Sequence, residues 1–114
     1  MNLGTVALRL MPNEVKTMAR RDAINETLKL FKIFSDETRL RIISLLVQGE
    51  YCVQDICERL NMSQSSISHQ LKHLRDLDVV KTRRDGKHIF YTIKDEQVKI
   101  IYSVGYAHAN EEKS

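Results

Sequence analysis

At 114 residues and 13.3 kDa the chain has the length of one small domain. Apolar residues make up 42% and aromatic residues only 6%, with no Trp, which favours helical layers of Leu, Ile and Val over a sheet sandwich. The net charge of +3 and pI near 9.0 suit a polyanionic partner, and no apolar run approaches the length that spans a bilayer.

The distribution of charge is more specific than its sum. Residues 1–21 are basic, residues 22–60 acidic, and residues 61–88 carry Lys72, Arg75, Lys81, Arg83, Arg84 and Lys87 against Asp76, Asp78 and Asp85. Cys52 and Cys57 are too few for a disulfide framework and are not spaced as C-x-x-C. With no recognisable secretory signal, the chain reads as cytoplasmic and reduced.

In chain order, residues 1–21 hold the single Pro and no sustained periodicity, and read as a mobile basic arm. From Asp22 the spacing turns helical, with Ile24, Leu28, Phe31 and Ile33 expected to point inward. "SDETRLRIISLLVQGE" starts a second helix, capped by Ser35 or Asp36, stopped near Gly49, and burying Leu40, Ile43, Leu46 and Val47. A short helix over Val53–Leu60 follows, and after "NMS" a capping signal at Ser63 opens another. Two short helices joined by a tight turn make a helix-turn-helix.

The helix after that turn, "SQSSISHQLKHL", has an apolar stripe at Ile67, Leu71, Leu74 and Leu77. Its other face holds Gln64, Ser65, Ser68, His69 and Lys72, with no acid before Asp76. Exposed helices ordinarily mix Glu with Lys and are poor in Ser, which competes for backbone hydrogen bonds. Short hydroxyls and an amide at a helix start can reach base edges or phosphates, and no carboxylate repels the duplex. Beyond Leu77 two β-prone runs, Val79–Arg83 and His88–Ile93, flank Asp85-Gly86, a hairpin signal. Its Arg83, Arg84, Lys87 and His88 would grip phosphates as a wing.

A last helix, from about Asp95 to Ala109, places Val98, Ile101, Tyr102, Gly105 and Ala109 on one side while Ile100, Val104 and Tyr106 are apolar elsewhere. So wide a stripe on a terminal helix calls for a second burial partner, most simply another copy of itself. The expected class is mainly α with a small β-hairpin: a winged helix-turn-helix domain over 22–114, homodimeric through its terminal helices.

"FKIFSDETRLRIISLL", "SQSSISHQLKHLRDLDVVKTRRDGKHIFYTI" and the closing helix together resemble the ArsR/SmtB family of bacterial winged-helix repressors, from about Asp22 to Glu111. The resemblance implies a homodimer that binds an inverted-repeat operator in double-stranded DNA and leaves it when a metal ion binds, with no membrane or RNA partner. One family metal site lies on the last helix, as Asp-x-His near its start and His-x-x-Glu near its end. Asp95, His108 and Glu111 match, while Gln97 stands in place of the first His. Asp95 lies thirteen residues before His108, roughly 20 Å along a helix axis. One helix therefore cannot close the site, whereas two antiparallel copies can. Zn(II) suits such nitrogen and oxygen donors, with Co(II) or Ni(II) as alternatives. Asp95 could equally serve as a helix cap. The family's second metal box begins near "EYCVQD", but Gln54 replaces its second Cys and residues 1–21 supply no Cys or His, so that site is expected to be missing.

Two rival readings remain at this stage. Cys52 stands at a helix N-terminus, a setting that favours a reactive thiolate, so the same fold could answer oxidants or sulfur species, or nothing. A protein-interaction module on this scaffold would not need DNA at all. Four scattered glycines and no recognisable nucleophile–base set argue against an enzyme.

Overall fold

The computed structural model describes residues 13–111, with side chains from residue 20 onward. Five helices and three strands run in the order α1 (Asn13–Phe34), α2 (Glu37–Leu46), β1 (Tyr51–Cys52), α3 (Val53–Leu60), α4 (Gln64–Asp76), β2 (Val80–Asp85), β3 (His88–Ile93) and α5 (Glu96–Glu111) among those residues. The chain divides into two units, Met1–Phe34 and Ser35–Ser114. Among the described residues no helix is long and apolar enough to cross a membrane.

In the first unit, α1 already covers residues 13–21, so the helix starts nine positions before the expected Asp22. Residues 1–12 of the expected arm lie outside the described residues. Of the four side chains expected to point inward, only Ile33 is buried; Ile24, Leu28 and Phe31 are more than half exposed. Their i, i+4, i+7 spacing marks a helix face made for packing, and periodicity alone cannot say which surface would cover it.

In the second unit, the Asp36 carboxylate caps α2 by accepting from the Arg39 N–H at 2.9 Å. The helix ends at Leu46 with Val47 as its cap, short of the expected stop at Gly49. Ile42, Ile43, Leu45 and Leu46 are buried, whereas Leu40 is exposed and Val47 half-buried. The apolar side is thus wider and rotated from the expected stripe.

Both helices of the helix-turn-helix end in hydrogen-bond pairs that fix the next turn. At the end of α3, Met62 N–H bonds to Cys57 O and Asn61 N–H to Glu58 O, with Asn61 left-handed at φ 53°. After α4, Val79 N–H bonds to Leu74 O and Asp78 N–H to Arg75 O, with Asp78 at φ 60°. Each is the arrangement that satisfies a helix's last carbonyls and reverses the chain. The first leaves only Asn61, Met62 and Ser63 between α3 and α4.

Ile67, Leu71 and Leu74 on α4 are completely buried, each contributing about 1.5–3 kcal/mol relative to exposure. Leu77, expected to extend that stripe, is exposed because the helix has ended at Asp76. The hairpin pairs Val80 with Ile93 through Asp85 with His88, so its two-residue loop is Gly86-Lys87, one position later than expected. Gly86 takes the positive φ, 61°, that such a tight loop needs. An unexpected third strand, β1, pairs Tyr51 with Tyr91 and Cys52 with Phe90, giving the antiparallel order β1-β3-β2. Lys94 and Asp95 donate their N–H groups to Val79 O, and Val98, fully buried, ties α5 to the core.

Candidate nucleic-acid interface

The Ser63 hydroxyl caps α4, accepting from the Ser66 N–H at 3.2 Å and lying 3.3 Å from the Ser65 hydroxyl. Since Ile67, Leu71 and Leu74 pin one side of the helix inward, the opposite side must face out. Gln64, Ser65, Ser68, His69 and Lys72 are all exposed, and the first turn holds no acid. His73 is also exposed. The expected recognition surface is therefore a continuous polar face on a helix held rigid from below.

The wing stands next to it. Gln64, Gln54 and Val53 share a surface hollow of about 190 Å³ with Cys52, Lys87, His88 and Ile89. The starts of α3 and α4 and the hairpin loop thus border one concavity. Lys87 and His88 are exposed, and Arg84 reaches no farther than a 3.4 Å contact from its Nε–H to Gly86 O.

Arg83 differs from its neighbours. Its guanidinium donates three hydrogen bonds to the Glu50 carboxylate, from Nη2 at 2.6 Å and from Nε at 3.1 and 3.2 Å. It also lies 4.9 Å from the centre of the Phe90 ring. The hydrogen bond from Arg83 holds the Glu50 carboxyl below its ordinary pKa, and the same contact raises that of Arg83. Glu50 was missed in the sequence because it lies 33 residues from its partner, and no local pattern links them.

On α5, the Asp95 carboxylate acts as a cap, its Oδ1 accepting from Gln97 N–H at 2.9 Å and Val98 N–H at 3.4 Å. Gln97, Ile100, Val104, His108 and Glu111 follow the spacing of one helix stripe, and all five are exposed. Ile100 and Val104 are 60% and 65% exposed, values that mark an unpartnered apolar strip rather than scattered surface residues. Tyr106, 58% exposed, stacks on Tyr102 at 5.8 Å between ring centres. Within one chain no three His, Cys, Asp or Glu side chains come together among the described residues. The donors Asp95, His108 and Glu111 fit a divalent metal by type, and their separation along α5 fits only a shared site. Cys52 is buried and Cys57 half-buried, both as free thiols.

A capped helix with no acid before its last residue, laid beside a basic hairpin, defines a winged helix-turn-helix DNA-binding regulator. Residues 36–82 match the family of bacterial regulatory proteins described as the arsR family. A cadmium resistance transcriptional regulatory protein CadC homolog of Staphylococcus aureus is 34% identical over 97 residues, covering 84% of this chain and 79% of that protein. A transcriptional repressor SmtB homolog of Synechocystis is 36% identical over 81 residues, 71% of this chain and 61% of its own length. The solution structure of a homodimeric winged helix-turn-helix DNA-binding domain, Mb0332 from Mycobacterium bovis, superposes with a TM-score of 0.72 at 27% identity, covering 82% of this chain and 86% of that one. The chain belongs to the ArsR/SmtB family of transcriptional repressors, and it is a regulator rather than an enzyme.

Proposed function

We propose that the protein represses transcription as a homodimer whose two α4 helices enter successive major grooves of an inverted-repeat operator. Gln64, Ser65, Ser68 and His69 read the groove, with Ser63 holding the helix start and Lys72, Arg84 and Lys87 engaging phosphates. One observation carries this reading: the exposed face of α4 offers hydroxyl, amide, imidazole and ammonium groups, with no carboxylate before Asp76 at its last residue. The paired partner is supported by the exposed Ile100–Val104 strip on α5, and by the homodimeric state of the Mycobacterium bovis domain.

Release by a divalent metal ion, Zn(II) first, extends the proposal. Asp95 of one α5 and His108 and Glu111 of the other would hold it, on the same stripe as the apolar strip. When bound, the ion would supply charge neutralisation and a cross-link between the two terminal helices. Gln97, a neutral amide, is a weaker donor than the family's His, so affinity rests on the other three. To lower operator occupancy from 99% to 1%, the ion must favour the DNA-free form by about 5.5 kcal/mol. The relatives support a metal signal through their own roles, cadmium resistance being one.

The test is fluorescence anisotropy of a labelled duplex from the region upstream of the protein's own gene, read with Zn(II) and then with chelator. The proposal expects salt-dependent binding, loss of affinity on adding Zn(II), and no zinc response in His108→Ala. Binding untouched by zinc would remove the metal part, and absence of binding would remove the whole.

A further inference from the structure

The exposed basic residues of the wing do not share one environment. Cys52 pairs with Phe90 across β1 and β3, and Phe90 pairs with Arg83 across β3 and β2, so these residues form one row across the sheet. Glu50 precedes Cys52 by two positions, which places it on the same side of the extended chain. The Arg83 side chain follows this row. It crosses the Phe90 ring at 4.9 Å and ends in the three-bond contact with Glu50. Asp85 adds a weaker ion pair to Arg83 at 3.8 Å.

We propose that Arg83 is a positioning residue, fastening the wing to the α2–β1 turn through Glu50 across Phe90, while Arg84 and Lys87 make the wing's phosphate contacts. The inference rests on the DNA-binding reading above and assigns one of its basic residues a different task.

Three features of the contact support this division. Both carboxylate oxygens are engaged, and the planar guanidinium matches them in a way that a lysine ammonium would not. The contact joins segments 33 residues apart and runs across the sheet from β2 to the turn before β1, whereas pairs such as Lys29–Glu26, Arg41–Glu37 and Lys99–Glu96 join neighbours within one helix. Finally, the Nε–Nη2 edge of Arg83, the one that grips an oxyanion in parallel bonds, is already taken by a carboxylate that a phosphate would have to displace from it. Among the described residues, neither Arg84 nor Lys87 is held by a carboxylate in this way.

The two roles predict opposite signs for one substitution. Removing a carboxylate beside a DNA-binding surface strengthens binding if charge alone matters. If Glu50 holds the wing in place, its removal weakens binding instead. The experiment measures affinity of the full chain for a fluorescein-labelled 40-base-pair duplex of random sequence, across a salt series. Each phosphate contact contributes about 0.9 to the slope of log affinity against log salt.

Arg84→Ala and Lys87→Ala are expected to lower that slope by about 0.9 for each bound protomer. Arg83→Ala and Glu50→Ala are both expected to weaken binding several-fold with the slope unchanged. The charge swap of Glu50→Arg with Arg83→Glu is expected to restore much of the loss, and Arg83→Lys is not. Tighter binding by Glu50→Ala, or a slope loss of about 0.9 in Arg83→Ala, would overturn the assignment. An Arg83 Nε–H resonance that is unaltered in Glu50→Ala would also overturn it, independently of DNA. A wild-type chain that fails to bind any duplex would instead sink the functional reading, and this is distinguishable because the variants are compared with it.

Discussion

Helices α4 and α5 each carry one face inward and leave one face bare, but the bare faces differ in kind. On α4 it is polar, without an acid before Asp76, and anchored by three fully buried residues beneath it. On α5 only Val98 is fully buried, and the bare stripe contains Ile100 and Val104. A polar face in water has its hydrogen bonds satisfied and awaits a partner only in the functional sense. An apolar stripe exposed on a small protein costs hydration free energy until something covers it. The first face is suited to reversible contact with a polyanion, the second to a lasting one with another protein surface.

Substitutions can separate the two faces. The largest effect is expected from Ile100→Asp with Val104→Asp, which would bury unpaired carboxylates in any α5–α5 contact at a cost of several kcal/mol. Sedimentation velocity should then find monomer, while circular dichroism shows the helices intact. Retained dimer would place the pairing surface elsewhere.

Next is Leu71→Ala beneath the recognition face, expected to lower stability by about 2–5 kcal/mol in urea unfolding. A loss well below that range would mean that α4 is less firmly seated than its burial implies.

Ser65→Glu should leave both stability and dimer unchanged and weaken operator binding by more than tenfold, about 1.4 kcal/mol, because it sets a carboxylate against the duplex. The smallest effect belongs to Ser63→Ala. Loss of the cap on α4 should lower stability by about 1 kcal/mol, readable as a shift in the urea midpoint.

How far these faces could be read in advance depended on distance along the chain. The Ser63 cap and the Ile67–Leu71–Leu74 stripe are local patterns of three or four residues, and both stand in the structure. Of the expected side of α5, Val98 is buried and Ile101 and Tyr102 are half-buried, while Gly105 and Ala109 are exposed. Leu40 and Leu77 carried the right spacing but sit where a helix begins or ends, so periodicity overestimated their burial. Strand β1 is two residues long and exists only through pairing with Tyr91 and Phe90, a relation no local composition encodes. The Glu50–Arg83 contact was hidden for the same reason: an arginine next to another arginine reads as generic positive charge until the fold brings a carboxylate to one of them. The apolar side of α1 was legible as a face, but not as an uncovered one.

The account's central claim is that two chains, joined through α5, present two α4 helices to one duplex. Sedimentation velocity of the full chain at micromolar concentration, alone and with a duplex from its own upstream region, tests this directly. A dimer that binds as two chains per site, and becomes a non-binding monomer on Ile100→Asp with Val104→Asp, is the predicted result. A wild-type monomer, or a monomeric variant that holds the same site with undiminished affinity, would contradict it.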